Sequence, residues 1–200
     1  MIEVDESAAE FRRAHVLASA TKVFLAYGFA KATMDDIARA AEMSRPAIYL
    51  HFKNKTDIYR SIALDMLTLS AAQAKAELER PGPFADRLER AIDVAIISMI
   101  ASFSTTPHGA EFLDMKSSLA DLIGTWRGHL LDQIADAIAS EARRTGVDLV
   151  GKGFPARMLA DTLMDRLDGV KARTVDPDAQ RQAARIQIRL IDNVLQAQGR

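Results

Sequence analysis

The chain has 200 residues, 48% hydrophobic and 26% charged, which is enough to bury the core of one or two small domains. It contains no cysteine, which excludes disulfides, thiolate nucleophiles and cysteine-ligated zinc. Its net charge is only −1, so the chain as a whole lacks the basic field that would by itself indicate nucleic-acid binding. Neither a signal-peptide pattern nor a long apolar run is present, so we expect a cytoplasmic protein that makes no contact with a membrane.

Apolar residues recur at helical spacing along most of the chain, and the alternating β-branched patterns of strands are missing. The sequence therefore predicts an all-α fold of about nine helices. The first helix is predicted over residues 7–27 and ends at Gly28, since glycine is common just after a helix. Further helices are predicted over residues 33–41, 44–50, 54–80, 84–103, 110–116, 118–144 and 155–173, with a last helix that begins at Pro177.

Three helix starts lie close together near the N-terminus. Thr33, Ser44 and Asn54 each have the side chain of an N-cap residue, and the first and last of them have an aspartate three positions later. Starts this close leave room only for two short helices, joined by a tight turn at Glu42 and Met43, before a long helix begins. Two short helices on a tight turn are a candidate helix-turn-helix.

The outward positions of this segment carry groups that suit DNA. Ser44 begins a helix whose free N–H groups and positive dipole end favour a phosphate oxygen. Arg45 and Ala47 lie in the first turn of that helix, the part that enters the major groove in this motif. The exit of the helix has donors of suitable length for the DNA backbone, namely Tyr49, His51, Lys53 and Lys55. For the neighbouring Phe52 we expect packing between helices instead.

The run TMDDIARAAEMSRPAIYLHFKNKTDIY, residues 33–59, resembles the helix-turn-helix signature of the TetR family of bacterial regulators. The resemblance implies a DNA-binding domain over residues 1–53 and a helical ligand-binding and dimerisation domain over residues 54–200. It also implies a repressor that a small molecule releases from a palindromic operator, through a change in the spacing of the two recognition helices that the long fourth helix transmits. An activator and a regulator without a ligand stay open as alternatives.

Individual positions follow from the same resemblance. Residues that match phosphate-contacting positions are Thr33, Ser44, Tyr49, His51 and Lys55, and those that match base-contacting positions are Arg45, Pro46 and Ala47. Glu42 departs from the family pattern, which most often has glycine there. A positive φ at a residue with a Cβ would cost roughly 1 kcal/mol, and we expect the turn to persist.

Two apolar stripes near the C-terminus suggest a homodimer. A dimer would place two recognition helices one DNA turn apart, about 34–36 Å. The resemblance implies an intersubunit four-helix bundle built by the last two helices. Its candidate interface residues are Leu163, Leu167, Val170, Ala183, Ile186, Leu190 and Val194. From the residues alone, the same stripes could equally close the core of a single subunit.

A mixture of flexible and aromatic side chains in the middle of the chain is compatible with a pocket for a small, mostly apolar ligand. The candidate lining residues are Met66, Met99, Phe103, Met115, Trp126, His129 and Met158. Ordinary core packing is the alternative interpretation of each one. Trp126 and His129 lie three positions apart, so an indole N–H and an imidazole could together orient a polar group.

Catalysis and metal binding find little support. The stretch from Gly146 to Lys152 satisfies the GxxxxGK spacing of a phosphate-binding loop, but Gly153 replaces the required Ser or Thr and a helix, not a strand, precedes the loop. The histidines show no tight ligand spacing, and a metal site from His108, Asp114 and His129 is only a remote geometric possibility. We therefore expect no catalytic residue, no cofactor and no metal.

Overall fold

The computed structural model describes residues 2–114 and 116–196 of the chain. These ranges contain helices and no strand, which confirms the predicted all-α class. In chain order the α-helices are α1 (Ile2–Tyr27), α2 (Met34–Ala40), α3 (Arg45–Tyr49), α4 (Lys55–Glu79), α5 (Phe84–Ile92), α6 (Ser98–Ser104), α7 (Gly109–Asp114), α8 (Lys116–Thr145), α9 (Ala156–Lys171) and α10 (Pro177–Gln196). None of the helices among the described residues is long and apolar enough to cross a membrane.

Helices α5 and α6 are joined by a π-helical turn, Asp93–Ile97, so the predicted single helix over 84–103 is continuous but changes its winding in the middle. Both carboxylate oxygens of Asp93 are bonded there. One accepts from the Ser98 hydroxyl at 2.7 Å and the other from Nε of Arg181 in α10 at 2.7 Å. Because Arg181 is 88 residues away, the local sequence gives no sign of the π turn.

The predicted N-caps are confirmed, and they explain where the short helices begin. The Thr33 hydroxyl accepts from the amide of Asp36 at 3.1 Å, and the Asp36 carboxylate accepts from the amide of Thr33 at 3.1 Å, which completes a capping box. The side-chain oxygen of Asn54 accepts from the amide of Asp57 at 2.9 Å at the start of α4. Each cap satisfies a backbone N–H that the helix itself leaves without an acceptor.

The chain divides into two compact units. Unit 1 consists of the residues up to Met66 together with Ser102–Leu122, and it therefore contains α1, α2, α3, the start of α4 and α7. Its core is formed by Val16, Ala20, Phe24, Ile37, Ile48, Ile58 and Tyr59. Burial raises the pKa of the Tyr59 phenol to about 12.

Within unit 1, the later segment is tied to the N-terminal helices by polar contacts. The Arg60 guanidinium binds both carboxylate oxygens of Asp121, at 3.1 and 2.6 Å, and also donates to the backbone oxygen of Ser118. The amide of Ala30, in the loop after α1, donates to Glu111 of α7 at 3.4 Å. Residues more than fifty positions apart therefore belong to the same unit as the helix-turn-helix.

Unit 2 consists of Leu67–Ala101 and the residues from Ile123 onward. Helix α10 packs against α9 and α5, and their apolar faces meet in one continuous core. Its most deeply buried members include Leu88, Ile92, Leu130, Ile134, Leu163 and Ile188. The predicted domain boundary between residues 53 and 54 lies within unit 1 and stays a prediction about function.

Candidate nucleic-acid interface

The turn between α2 and α3 takes a left-handed step at Glu42, with φ 53°, at the position where the sequence raised the question of a positive φ. Two contacts hold it. The Met43 amide donates to the carbonyl oxygen of Ala38 at 3.0 Å, and Nε2 of His15 in α1 lies 3.1 Å from the carbonyl oxygen of Ala41. The contribution of His15 was missed, because its partner is 26 residues away.

The first turn of α3 presents its side chains outward. The Ser44 hydroxyl accepts from the amide of Ala47 at 3.3 Å, as predicted for an N-cap. Arg45 and Pro46 are exposed and Ala47 is half-buried, whereas Ile48 is fully buried in the core of unit 1. The residues predicted to contact bases therefore lie together in the first turn of one short helix, with Arg45 and Pro46 exposed.

Arg45 is held by two neighbours on this face. Its Nη1 lies 3.2 Å from a carboxylate oxygen of Asp35 in α2, and its Nη2 lies 3.4 Å from the Tyr49 hydroxyl. The guanidinium carbon is 5.6 Å from the centroid of the Tyr49 ring, a cation–π distance. The hydrogen bond to Tyr49 and the charge of Asp35 raise the pKa of Arg45 above its usual range.

The C-terminal end of α3 and the residues that follow it combine exposed apolar and polar groups. Tyr49 is 44% exposed and Leu50 is 84% exposed, while His51 is half-buried and Lys53 is exposed. Phe52 is only 2% exposed, which confirms the expectation that its ring packs between helices. The C-terminal end of α3 and the residues after it therefore offer an aromatic hydroxyl beside the Arg45 guanidinium, followed by an imidazole and an ammonium.

Lys55 has an additional role that the sequence did not reveal. Its ammonium donates to the carbonyl oxygens of Phe29, Ala30 and Ala32 at 2.8, 3.0 and 3.0 Å and lies 4.8 Å from the centroid of the Phe29 ring. These acceptors account for all three N–H bonds of an ammonium group. The three hydrogen bonds from Lys55 to the loop between α1 and α2 are called the Lys55 clasp. A phosphate contact by Lys55 stays a prediction, and it would compete with this clasp.

Thr33 is similarly engaged. Besides its role as a cap, its hydroxyl donates to the Asp36 carboxylate at 2.6 Å. The hydrogen bonds from Thr33 hold the pKa of Asp36 below its usual range. The hydroxyl retains acceptor capacity for water or a ligand but already has a strong acceptor for its own proton, so its predicted phosphate contact stays a prediction.

The residues predicted to line a ligand pocket are distributed over both units. Met66 and Phe103 belong to unit 1, whereas Met99, Trp126, His129 and Met158 belong to unit 2. Met115 lies outside the described residues. The Trp126 indole N–H donates to the Ser70 hydroxyl at 2.8 Å, and His129 and Met158 are exposed. The pairing of Trp126 with His129 around a ligand therefore stays a prediction.

Unit 2 contains a cleft of about 300 Å³ with a different lining. Three ion pairs surround it, Arg90 with Glu77 at 2.8 Å, Arg185 with Glu89 at 3.1 Å and Arg181 with Asp93 at 2.7 Å. The apolar part of the lining is formed by Val94, Ile97 and Ala184. This cleft borders the π turn, and six of its nine lining residues are charged. The mostly apolar pocket expected from other residues stays a prediction.

The predicted dimer residues fall into two groups. Leu163, Leu167, Val170 and Ala183 are at most 6% exposed, so they are buried within the single chain. Ile186 and Leu190 of α10 are 49% and 55% exposed, one helical turn apart, and Val194 is partly buried against the core of unit 2. One side of the apolar stripe is therefore buried in the core of the subunit, and the side with Ile186 and Leu190 is exposed.

A short helix with an exposed, capped N-terminal turn, joined by a tight turn to a preceding helix and packed on a common core, defines the class of the chain as a helix-turn-helix protein. The model of the family "Bacterial regulatory proteins, tetR family" matches residues 16–62. This range includes the C-terminal part of α1, all of α2 and α3 and the start of α4.

Relatives extend the match beyond the motif. The uncharacterized HTH-type transcriptional regulator TtgW of Pseudomonas putida is 32% identical over 52% of this chain and 70% of its own length. The HTH-type transcriptional repressor Rv1474c of Mycobacterium tuberculosis is 26% identical over 85% and 94%. Among solved structures, the fatty acid degradation regulator FadR from Bacillus halodurans has the same fold, with a TM-score of 0.66, 17% identity and coverage of 88% and 94%.

The chain therefore belongs to the TetR family of bacterial transcriptional regulators. The match is uneven along the sequence. With two other curated regulators, about a third identical, the chain spans less than half of the relative's own length, 42% and 46%.

Proposed function

We propose that this chain is a sequence-specific DNA-binding repressor that binds a palindromic operator through α3 and leaves it when a small ligand binds. The observation that carries the proposal is the first turn of α3, where a Ser44-capped helix N-terminus lies beside the exposed Arg45 guanidinium. Such an arrangement suits a phosphate at the helix end and a guanine edge at the guanidinium. Rv1474c, which matches most of the chain, is named a transcriptional repressor, and this name supports repression over activation.

The proposed regulator acts as a homodimer. A single five-residue recognition helix buries too little surface for useful specificity, and two copies related by a two-fold axis double the contacts. The exposed pair Ile186 and Leu190 on α10 supports an interface there. In this proposal the interface is formed by these side chains, while Leu163 and Leu167 support it from within the subunit.

In this proposal residues 1–53 bind DNA, and residues 54–200 bind the ligand and the partner subunit. The segment Ser102–Leu122 then links the two activities, because it belongs to the later part of the sequence but to the same compact unit as the helix-turn-helix. The contacts of Arg60 with Asp121 and of Ala30 with Glu111 support this link. In this proposal a bound ligand changes the spacing of the two recognition helices through the long helix α4, and this change lowers the affinity for DNA. Equal DNA affinity with a saturating ligand bound would exclude this switch.

We propose that the protein acts by binding DNA and not as an enzyme. Since bacterial DNA lies in the cytoplasm, we also propose that the protein is cytoplasmic. The loop that satisfies GxxxxGK follows α8, a helix, and the amide of its Gly151 already donates to the Asp148 carboxylate at 2.9 Å. A carboxylate in that place opposes the binding of a phosphate. The ligand is proposed to enter unit 2, where the cleft of about 300 Å³ favours a molecule that has polar groups as well as an apolar part.

The salt dependence of DNA binding tests this function. We expect fluorescence anisotropy on a labelled duplex to give a log binding constant that falls linearly with log salt, with a slope of about −0.9 for each phosphate contacted. Lys53→Ala should make that slope shallower by about one for each copy bound. Lys152→Ala, an exposed lysine in the loop after α8, serves as the matched control and should leave the slope unchanged. A folded protein that shows no salt-dependent binding would refute the proposal.

A further inference from the structure

A contact between the two helices of the helix-turn-helix restrains the residue best suited to contact a base. Asp35 in α2 and Arg45 in α3 are ten positions apart, and their side chains meet at 3.2 Å on the exposed face. The Tyr49 hydroxyl and ring hold the same guanidinium from a second direction. Arg45 is therefore anchored at two points in the protein without DNA.

The pair contributes little to holding the fold together. Both side chains are more than half exposed, 57% for Asp35 and 53% for Arg45, and ion pairs this exposed stabilise proteins only weakly. The start of α2 is capped by Thr33 and Asp36 and does not need Asp35 for that purpose. A substitution at Asp35 should therefore leave the helix-turn-helix folded, and its main effect should be on the side chain of Arg45.

The anchoring has a direct consequence for base recognition. A guanidinium has five N–H donors, and the two contacts use one from each terminal nitrogen, so donors remain for the two acceptors on a guanine edge. A long side chain that is already oriented loses less conformational entropy on binding than a freely rotating one. The Asp35 carboxylate also repels phosphate oxygens, which weakens binding wherever Arg45 finds no matching base.

We propose that Asp35 is a specificity-determining residue, which positions the Arg45 guanidinium, together with Tyr49, for one guanine in each half-site of the operator. This inference rests on the proposed DNA-binding function. Asp35 acts through Arg45 and raises the contrast between the correct base and the other three. It lowers the affinity for DNA in general.

The experiment begins with the wild-type protein and a pool of random duplexes, from which the bound operator is selected and sequenced. If the folded wild-type protein enriches no sequence, the proposed function fails and so does this inference. With an operator in hand, dissociation constants are measured on duplexes that carry each of the four bases at every half-site position. The proteins compared are the wild type, Asp35→Asn, Arg45→Ala, the double variant, Tyr49→Phe and Glu42→Gln.

We expect Arg45→Ala to reduce the preference for guanine at one position by about tenfold or more, since a bidentate contact to a base gives discrimination of that order. Asp35→Asn should bind DNA in general at least as tightly as the wild type but lose roughly fivefold or more of the preference at that same position. The double variant should lose no more than Arg45→Ala alone, because Asp35 acts through Arg45.

Two control variants distinguish the effect of Asp35 on the orientation of Arg45 from the effect of its negative charge on DNA. Glu42→Gln makes the same change in charge at another exposed residue of the motif, so it should tighten binding to all duplexes alike and leave the guanine preference intact. Tyr49→Phe removes the other hydrogen bond to Arg45 and should reduce the same preference even if Asp35→Asn fails to fold. An operator that is bound by the wild type, with an unchanged guanine preference in both Asp35→Asn and Tyr49→Phe, would overturn the inference.

Discussion

At the residue scale, Lys55 shows how one side chain can hold the DNA-binding helices in place. Lys55→Ala removes three hydrogen bonds from an ammonium group and leaves the carbonyls of Phe29, Ala30 and Ala32 without that donor. We expect the free energy of unfolding to fall by about 1.5–3 kcal/mol, the range for hydrogen bonds to a charged group. Urea titration followed by circular dichroism measures it.

Lys53→Ala is the matched control for this prediction. Lys53 is exposed and lies two residues before Lys55, so its truncation should leave the unfolding free energy unchanged. Equal effects of the two substitutions on stability would mean that the clasp on the α1–α2 loop contributes nothing.

Glu42 is a second residue whose substitution should change the free energy of unfolding. Its φ of 53° is one that glycine adopts without steric cost. We expect Glu42→Gly to raise the free energy of unfolding by about 1 kcal/mol. Glu42→Ala keeps the Cβ and should give no such gain, which distinguishes relief of backbone strain from removal of the negative charge. A gain with alanine as large as with glycine would contradict this explanation. Thermal or urea unfolding provides the comparison.

At the scale of helices, Glu141 links α8 to α5 and makes the stability of unit 2 depend on pH. Its carboxylate is 5% exposed, binds Nη2 of Arg144 at 2.6 Å and lies 3.2 Å from Nη2 of Arg87. The hydrogen bond from Arg144, supported by the charges of both arginines and opposed by burial, holds the pKa of Glu141 below its usual range. The charged form is therefore favoured by folding.

This depressed pKa sets the direction of the pH dependence. The stabilisation is fully present above the pKa of an unfolded glutamate, about 4.3, and is lost as the pH falls through the lower folded pKa. We expect Glu141→Gln to reduce the unfolding free energy at pH 7 by about 1–3 kcal/mol and by progressively less below pH 4. Glu79→Gln, at an exposed site, should have little effect at any pH. A difference for Glu141→Gln that stays constant from pH 7 to pH 3 would contradict the linkage.

Helix starts could be predicted from the sequence because their determinants are local. Thr33, Ser44 and Asn54 each act on an amide three residues away, so a short stretch of sequence contains the whole interaction. The clasp of Lys55, the bond from His15 and the π turn depend instead on partners 23 to 88 residues away. These features require the tertiary structure, and no periodic pattern indicates them.

The apolar stripes show a further limit of pattern analysis. Leu167 and Leu190 belong to the same predicted set, yet one is 1% and the other 55% exposed. Helical spacing identifies an apolar face but not what covers it, because the cores of subunits and of dimers have the same chemistry. The charged cleft of unit 2 was missed for a related reason. Two of its three ion pairs join α10 to residues 88 and 96 positions away, so their charges looked like separate solvated faces.

At the scale of the whole molecule, the proposed dimer gives a direct test. Leu190→Glu places a charge in the exposed apolar stretch of α10, where an interface would desolvate it, so we expect the dimer to dissociate into folded monomers. Val150→Glu makes the same substitution at a side chain that is 74% exposed in the loop after α8 and should leave the dimer intact. Sedimentation velocity gives the masses. A Leu190→Glu protein that remains dimeric would exclude this face.

Selection from a pool of random duplexes at moderate salt shows whether the protein binds DNA as a dimer and with sequence specificity. The purified protein retains part of the pool, and the retained duplexes are sequenced. We expect two inverted half-sites with centres about 10 base pairs apart, or a multiple of that spacing, as two recognition helices of a two-fold dimer require. Retained duplexes without any common sequence, from a protein whose circular dichroism shows the helical fold, would contradict this expectation.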